Sequence, residues 1–226
     1  MQNIGQDIIH KIYNTETTQY QKPDYANRCV VYYDKSFFYK VFPKEYQNID
    51  KVIKFFENYN GSLKMIDYHH DVSVSILKFN LLAGETVASR RDNNIKTDLD
   101  IGYLKDWFIN RNLEIHNAGL LCSNKHKEFQ LDHHDENHQG FRFCFTDWSA
   151  GNILYNNKTL TLVDLQPIDW IPVNVWFNTI RDHYRTFLNH FDNQQQIAYE
   201  NLMYLSDQVD DMANNLHQKL TPYNSA

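Results

Sequence analysis

The chain has 226 residues, 42% of them hydrophobic and 15% aromatic, enough apolar material to bury a core in one large domain or two small lobes. A net charge of −6 without a long Lys/Arg run argues against nucleic acid as the main partner, and no stretch approaches the ~20 apolar residues that a membrane span needs. Cys29, Cys122 and Cys144 are widely spaced and form no Cys-x-x-Cys pair, which argues against a disulfide framework or a thiolate zinc site. The N-terminus has no basic region followed by an apolar run, so the expectation is a soluble, unexported protein of the reducing cytoplasm.

Residues 7–13 place Ile8, Ile9 and Ile12 on one helical face, and a polar stretch broken at Pro23 follows. From Cys29 the pattern changes to Val30-Val31-Tyr32-Tyr33, an Asp34-Lys35-Ser36 turn, and an aromatic run from Phe37 to Phe42, which predicts a β-hairpin. Lys40 is the odd residue in that second strand: it either snorkels to water or reaches a buried anion. Pro43 suits a first helical turn, and Tyr46, Ile49, Val52, Ile53 and Phe56 recur at helical spacing, predicting a helix over 43–58 before the Asn60-Gly61 stop. Residues 63–69 and 72–82 read as two further strands. His69-His70-Asp71 between them has metal-ligand residue types, although a polar turn explains it more simply.

Residues 88–97 read as a charged linker, and 99–121 as one or two helices through Ile101, Leu104, Trp107, Phe108, Leu113 and Ile115. Residues 123–140 hold His126, His133, His134 and His138, which are zinc-ligand types. They lack the spacing that would converge them, so the stretch reads as a hydrophilic insert. Residues 170–191 have a broad aromatic helical face, and 198–220 form an amphipathic last helix.

The stretch with the most chemical content is FTDWSAGNILYNNKTLTLVDLQPIDW, residues 145–170. Asp147 precedes Asn152 by five positions, Ile153-Leu154-Tyr155 follows, Asn156-Asn157-Lys158 breaks the pattern, and Thr159 to Val163 alternates before Asp164. That is a hairpin pattern. With the turn centred on Lys158, residues 152 and 164 pair at the open end with Cβ atoms about 4.5–5.5 Å apart. An amide and a carboxylate so placed suit Mg²⁺, a hard cation that takes oxygen ligands and bridges to phosphate. Asp132 and Asn137 repeat the same spacing, but no strand follows them. The frame, an alternating run over Phe141 to Phe145 and a hairpin with a terminal acid, distinguishes the real candidate.

These residues resemble the aminoglycoside phosphotransferase and choline kinase group, whose pattern runs His-Gly-Asp, a spacer, Asn, then a strand-borne Asp; the protein-kinase arrangement is related. The resemblance implies an α+β, two-lobed, protein-kinase-like fold. A small antiparallel-sheet N-lobe over residues 1–82 would bind nucleotide, and a mainly helical C-lobe over 83–226 would carry catalysis and acceptor binding. It implies Asp147 as the catalytic aspartate, Asn152 and Asp164 as metal ligands, and Lys40 as the lysine on the nucleotide's phosphates. Glu45 shares the phase of Ile49, Val52 and Phe56 and is the chosen orienting acid for Lys40. The segment from Phe79 through Asn80 and Leu82 to Gly84 resembles the hinge whose backbone holds adenine, and His116 matches a structural histidine.

The implied activity is transfer of a phosphoryl group from ATP, with Mg²⁺, to a hydroxyl of a small molecule such as an amino-alcohol, aminoglycoside or sugar. Trp148, Asp169, Trp170 and Trp176 offer either a box for a cationic acceptor or simple packing. Phe145 stands where the family has His, Gln166 where a second acid often follows, and the only glycine before Gly61 is Gly5, so no Gly-rich phosphate loop is visible. Those departures motivate the alternative of a non-catalytic kinase-like binding module.

Overall fold

Nearly continuous apolar runs build the central strands of the first unit, and their consequence is a sheet covered on both faces. The computed structural model describes residues 2–19, 29–44, 49–95, 97, 99–122, 141–145, 147–165, 168–191 and 199–220. The chain divides into two compact units, Met1–Leu82 and Ala83–Ala226. In the first, β1 (Thr18–Gln19), β2 (Val30–Tyr33), β3 (Phe37–Pro43), β4 (Met65–His70) and β5 (Val74–Asn80) form an antiparallel sheet in the order β1-β2-β3-β5-β4.

Helix α1 (Gln2–Tyr13) sets Ile9 against Tyr32, Tyr39, Val41, Val74 and Ile76. Strand alternation puts Phe38, Lys40 and Phe42 on the opposite face. There Phe38 stacks on Phe79 at 4.9 Å, and Phe56 of helix α2 (Ile49–Asn58) meets Phe79 edge-on at 4.7 Å. The expected helix over 43–58 is thus shorter among the described residues. Pro43 ends β3 opposite Val74, because pairing with β5 carries the strand one residue past Phe42. Glu45 lies outside the described residues.

The turn between β2 and β3 is held by one carboxylate. Asp34 accepts the Ser36 and Phe37 backbone N–H groups at 2.7 Å each, the Tyr39 hydroxyl at 2.7 Å and the Thr15 hydroxyl at 3.1 Å. Burial pushes its pKa up, but those four donors outweigh burial and hold it below the ordinary carboxylate value. At the far side, His69 and His70 end β4, paired with Ile76 and Ser75 rather than lying in a turn, and Asp71 opens the turn into β5. Asp71 accepts from His69, from the Ser73 hydroxyl and from the Ser73 and Val74 amides.

In the second unit, β6 (Glu85–Thr86), β8 (Ile153–Asn156) and β9 (Thr159–Leu162) form one antiparallel sheet, and β7 (Phe141–Phe145) pairs antiparallel with β10 (Ile168–Pro172). Helix α3 (Val87–Asp92) replaces the first half of the expected linker: the Thr86 hydroxyl accepts the Ser89 N–H at 3.0 Å, an N-cap that starts a helix despite its charged sequence. The span expected as one or two helices is a single α4 (Ile101–Cys122). Helices α5 (Val173–Asn189) and α6 (Tyr199–Leu220) complete the unit. The helical pattern expected from Trp170 starts at Val173, because residues 168–172 pair with β7 instead.

Trp107 and Phe108 of α4, Trp148, and Tyr184 and Phe187 of α5 form the aromatic core, with ring centroids 4.3 Å apart for Phe108 and Trp148 and 5.3 Å for Trp107 and Phe187. The histidine-bearing segment 123–140 lies outside the described residues. Among the described residues no helix is long and apolar enough to cross a membrane.

Replacing Asp34 by Ala removes the partner of the buried Tyr39 hydroxyl, and an orphaned buried donor costs about 1–3 kcal/mol. Urea denaturation is expected to show a loss of that size, with Asp34→Asn recovering part of it.

Candidate functional site

The loop between β7 and β8 carries the predicted catalytic residue, and its conformation is set by three hydrogen bonds to backbone carbonyls. The Asn152 side-chain amide donates through Nδ2 to the Asp147 carbonyl at 3.1 Å. The Trp148 indole N–H donates to the Phe145 carbonyl at 3.1 Å, and His190 Nε2 lies 2.7 Å from the Trp148 carbonyl. A 3₁₀ turn over Ala150–Asn152, closed by the Asn152 N–H on the Ser149 carbonyl at 2.9 Å, returns the chain into β8. Asn152 is 4% exposed. Its Nδ2 is committed to the loop, so Oδ1, the amide's acceptor, is the atom suited to a cation.

The hairpin differs from the sequence reading by one residue. Ile153 pairs with Leu162 and Asn156 with Thr159, leaving Asn157 and Lys158 as a two-residue turn with φ values of 46° and 63°. Positive φ at both central residues is the type I′ geometry that matches strand twist. The turn therefore centres between Asn157 and Lys158 rather than on Lys158. Asn152 consequently lies opposite Val163, whose N–H donates to the Asn152 carbonyl at 2.8 Å, and Asp164 is one position further on.

A one-residue offset ordinarily turns a side chain to the other face. Asp164, however, has φ 55° and so leaves the strand alternation altogether. Left-handed backbone at a non-glycine residue costs of order 1–3 kcal/mol and concentrates at functional positions. Buried Leu162 and Leu165 hold the chain on either side of it.

Helix α4 fixes the outer edge of this hairpin. In a two-residue hairpin Leu160, opposite Tyr155, points its backbone groups away from β8. The Trp107 indole N–H donates to the Leu160 carbonyl at 2.9 Å, and the Leu160 N–H donates to the Tyr103 hydroxyl at 3.1 Å. Both edge groups are thus satisfied by side chains one helical turn apart.

Lys40 is 2% exposed, so it does not snorkel. It stands in β3 between Val31 of β2 and Leu77 of β5. The acids of α2 within the described residues, Asp50 and Glu57, are both exposed. At the end of β5, Asn80 is committed to its own unit: its Oδ1 accepts the Lys64 N–H at 2.7 Å, its Nδ2 donates to the Ser62 carbonyl at 3.2 Å, and its N–H donates to the Lys64 carbonyl at 3.2 Å. The Leu81 N–H donates to the Ser36 carbonyl at 3.0 Å. Leu82 is the next residue and the last of the first unit.

Two walls of the aromatic box are core residues. Trp148 packs on Trp107, Phe108, Phe145 and Phe187, and Trp176 on Phe177 and His217. Asp169 and Trp170 lie in β10 opposite Cys144 and Phe143. Burial pushes the Cys144 thiol up to about 12, which keeps it protonated and poorly nucleophilic. His116 is buried in α4. Among the described residues no group of three or more His, Cys, Asp or Glu is placed to hold a metal.

The two units together define an α+β, two-lobed kinase-like fold, and the solved structures similar to this chain agree. The chain matches the bifunctional kinase-methyltransferase WbdD at 12% identity and a TM-score of 0.53, covering 91% of this chain and 46% of that one. WbdD in co-crystals with the kinase inhibitor LY294002 gives 14% identity and a TM-score of 0.54 over 91% and 45%, and monomeric WbdD gives 10% and 0.54 over 88% and 49%. This chain therefore spans under half the length of those structures. No protein-family model and no curated protein matches the chain.

Sequence reasoning missed His190, Tyr103 and Trp107 as supports of the site, since each reaches its partner across 42 to 57 residues. His183 and His190 are both held below the ordinary histidine value, chiefly by burial; Asp182 opposes that at His183, and at His190 the Trp148 carbonyl opposes it while Arg91 adds to it. With the folded pKa values lowered, the unfolded chain binds more protons on acidification, so folding stability falls as pH drops below about 6.5. A melting-temperature series from neutral to mildly acidic pH is expected to show this decline, and His183→Gln with His190→Gln to flatten it.

Proposed function

We propose that the chain is an ATP- and Mg²⁺-dependent phosphotransferase acting on a hydroxyl of a small molecule, akin to the aminoglycoside phosphotransferase and choline kinase group. The observation that carries this reading is the double engagement of Asn152, whose side chain holds the Asp147 carbonyl at 3.1 Å while its own carbonyl holds the Val163 N–H at 2.8 Å. One residue thereby gathers the loop of Asp147 and the strand end before Asp164. The donors fit Mg²⁺: a carboxylate set off the strand by its positive φ and an amide oriented with its oxygen away from the loop are hard oxygen ligands.

In this reading Asp147 orients the acceptor hydroxyl and takes its proton as the oxygen attacks the γ-phosphorus. The bond from that phosphorus to the bridging oxygen breaks, and ADP leaves. Asn152 and Asp164 would hold Mg²⁺, which would supply charge neutralisation to the phosphates, and Lys40, kept dry by its place in β3, would steady them. Leu82 offers its backbone to the base, since the N–H groups of Asn80 and Leu81 are engaged within their own unit. With Trp148 and Trp176 in the core, two of the four groups of the cation box are taken up by packing, so the acceptor is proposed no more finely than as a small-molecule hydroxyl.

A thermal-shift titration with ATP is expected to raise the melting temperature only with Mg²⁺ present, by the equivalent of about 2.7 kcal/mol at a hundredfold excess over Kd. Asp164→Ala should abolish the shift. Asp147→Asn should keep it and lower phosphoryl transfer to an acceptor panel about 10²–10⁴-fold. A Mg²⁺-dependent shift without transfer to any acceptor would point to a non-catalytic nucleotide-binding module, and unchanged transfer by Asp147→Asn would overturn the assignment.

A further inference from the structure

The loop carrying Asp147 is held from two sides at consecutive peptide groups. The Asp147 carbonyl takes the Asn152 amide, and the Trp148 carbonyl, one peptide later, faces His190 Nε2 at 2.7 Å. A carbonyl oxygen only accepts, so Nε2 carries the proton, and the ring is either the Nε2–H tautomer or the imidazolium. His190 is delivered from a distant element. It is the C-cap of α5, with φ −73° and ψ −20°, and its backbone N–H donates to the Phe187 and Leu188 carbonyls.

Phe187, in the last turn of the same helix, also packs on the Trp148 indole with centroids 6.0 Å apart. The end of α5 therefore grips both the ring and the carbonyl of the residue after Asp147. On the other side of Asp147, Phe145 is buried and its apolar ring has no hydrogen bond to give the loop. Packing alone would be met by any flat ring at 190; a donor nitrogen on the carbonyl is an additional, directional feature.

We propose that His190 is a positioning residue for the phosphotransfer reaction, fixing the peptide after Asp147 so that the Asp147 carboxylate is presented in its reactive orientation; this rests on the function proposed above. Its bond is made to the backbone of Trp148 and not to Lys40, Asn152 or Asp164, the residues proposed to hold the nucleotide. Loss of the bond therefore separates turnover from nucleotide binding.

The test compares His190→Phe, which keeps a flat ring without the donor, with His190→Gln, whose side-chain amide can donate from a similar position. The expected result is a kcat about 10- to 100-fold lower in His190→Phe, as for small misplacements of reacting groups, with KM for ATP within about twofold. His190→Gln should recover most of the turnover. Amide hydrogen exchange supplies a readout independent of activity: exchange at residues 149–152 should accelerate at least tenfold in His190→Phe and remain near wild type in His190→Gln, with the interior of α5 unchanged.

Wild-type turnover in His190→Phe, or a His190→Gln no better than Phe, would overturn the proposal. If the wild-type protein transfers no phosphate, the proposed function fails, and with it the catalytic part of the inference. Exchange at 149–152 then decides whether His190 holds the loop at all, and equal rates in both variants and wild type would reject that too.

Discussion

The second unit depends on Asn152 being bonded in two directions at once. Its side chain closes the loop back onto the Asp147 carbonyl, and its backbone carbonyl receives Val163 from across the hairpin. Because Asn152 is itself buried, its polar groups would be costly to leave without these bonds. The 3₁₀ turn, the start of β8 and the end of β9 are thereby fixed relative to a single amide. Asp164 can then occupy a left-handed backbone conformation, since its strain is borne by a strand end that has no freedom to relax.

Around that constraint the aromatic residues act as scaffold. Trp107 shows both uses of a large amphipathic ring: its face stacks on Phe187 at 5.3 Å while its N–H caps the Leu160 carbonyl. Trp148 does the same with Phe108 and the Phe145 carbonyl. The Trp107 bond ties the hairpin to α4, and the Trp148 bond closes the segment around Asp147 on itself. The smaller unit solves a parallel problem at Asp34, where one carboxylate closes a turn and satisfies a buried phenol.

Much of the fold was legible in the sequence where periodicity is strict. The β2–β3 hairpin follows from two apolar runs about a polar turn, and α4 and the last helix from spacing near 3.6, because burial leaves its pattern in the residues themselves. Reading failed where a local signal had a competitor. Pro43 looked like a helix start, but pairing with Val74 prolonged the strand; residues 170–172 looked like the front of a helix, but β7 supplied ladder partners. The charged run after Thr86 looked like a linker, yet a single cap hydroxyl was enough to start a short helix.

The candidate site divides in the same way. The sequence alone determined which chemical groups are present and in what order: Asp147, Asn152 and Asp164 on a loop and a hairpin, and Lys40 in a strand, each legible because type and spacing are local. Tertiary structure decided how they are held. The turn type displaced Asn152 from Asp164 to Val163, since two residues with positive φ make a tighter turn than a three-residue break would. Packing sent Trp148 and Trp176 inward, and the end of α5 brought His190 onto the loop of Asp147 from 42 residues away. Contacts across such separations leave no period in the sequence, because they are set by where whole helices pack rather than by which residues are neighbours along the chain.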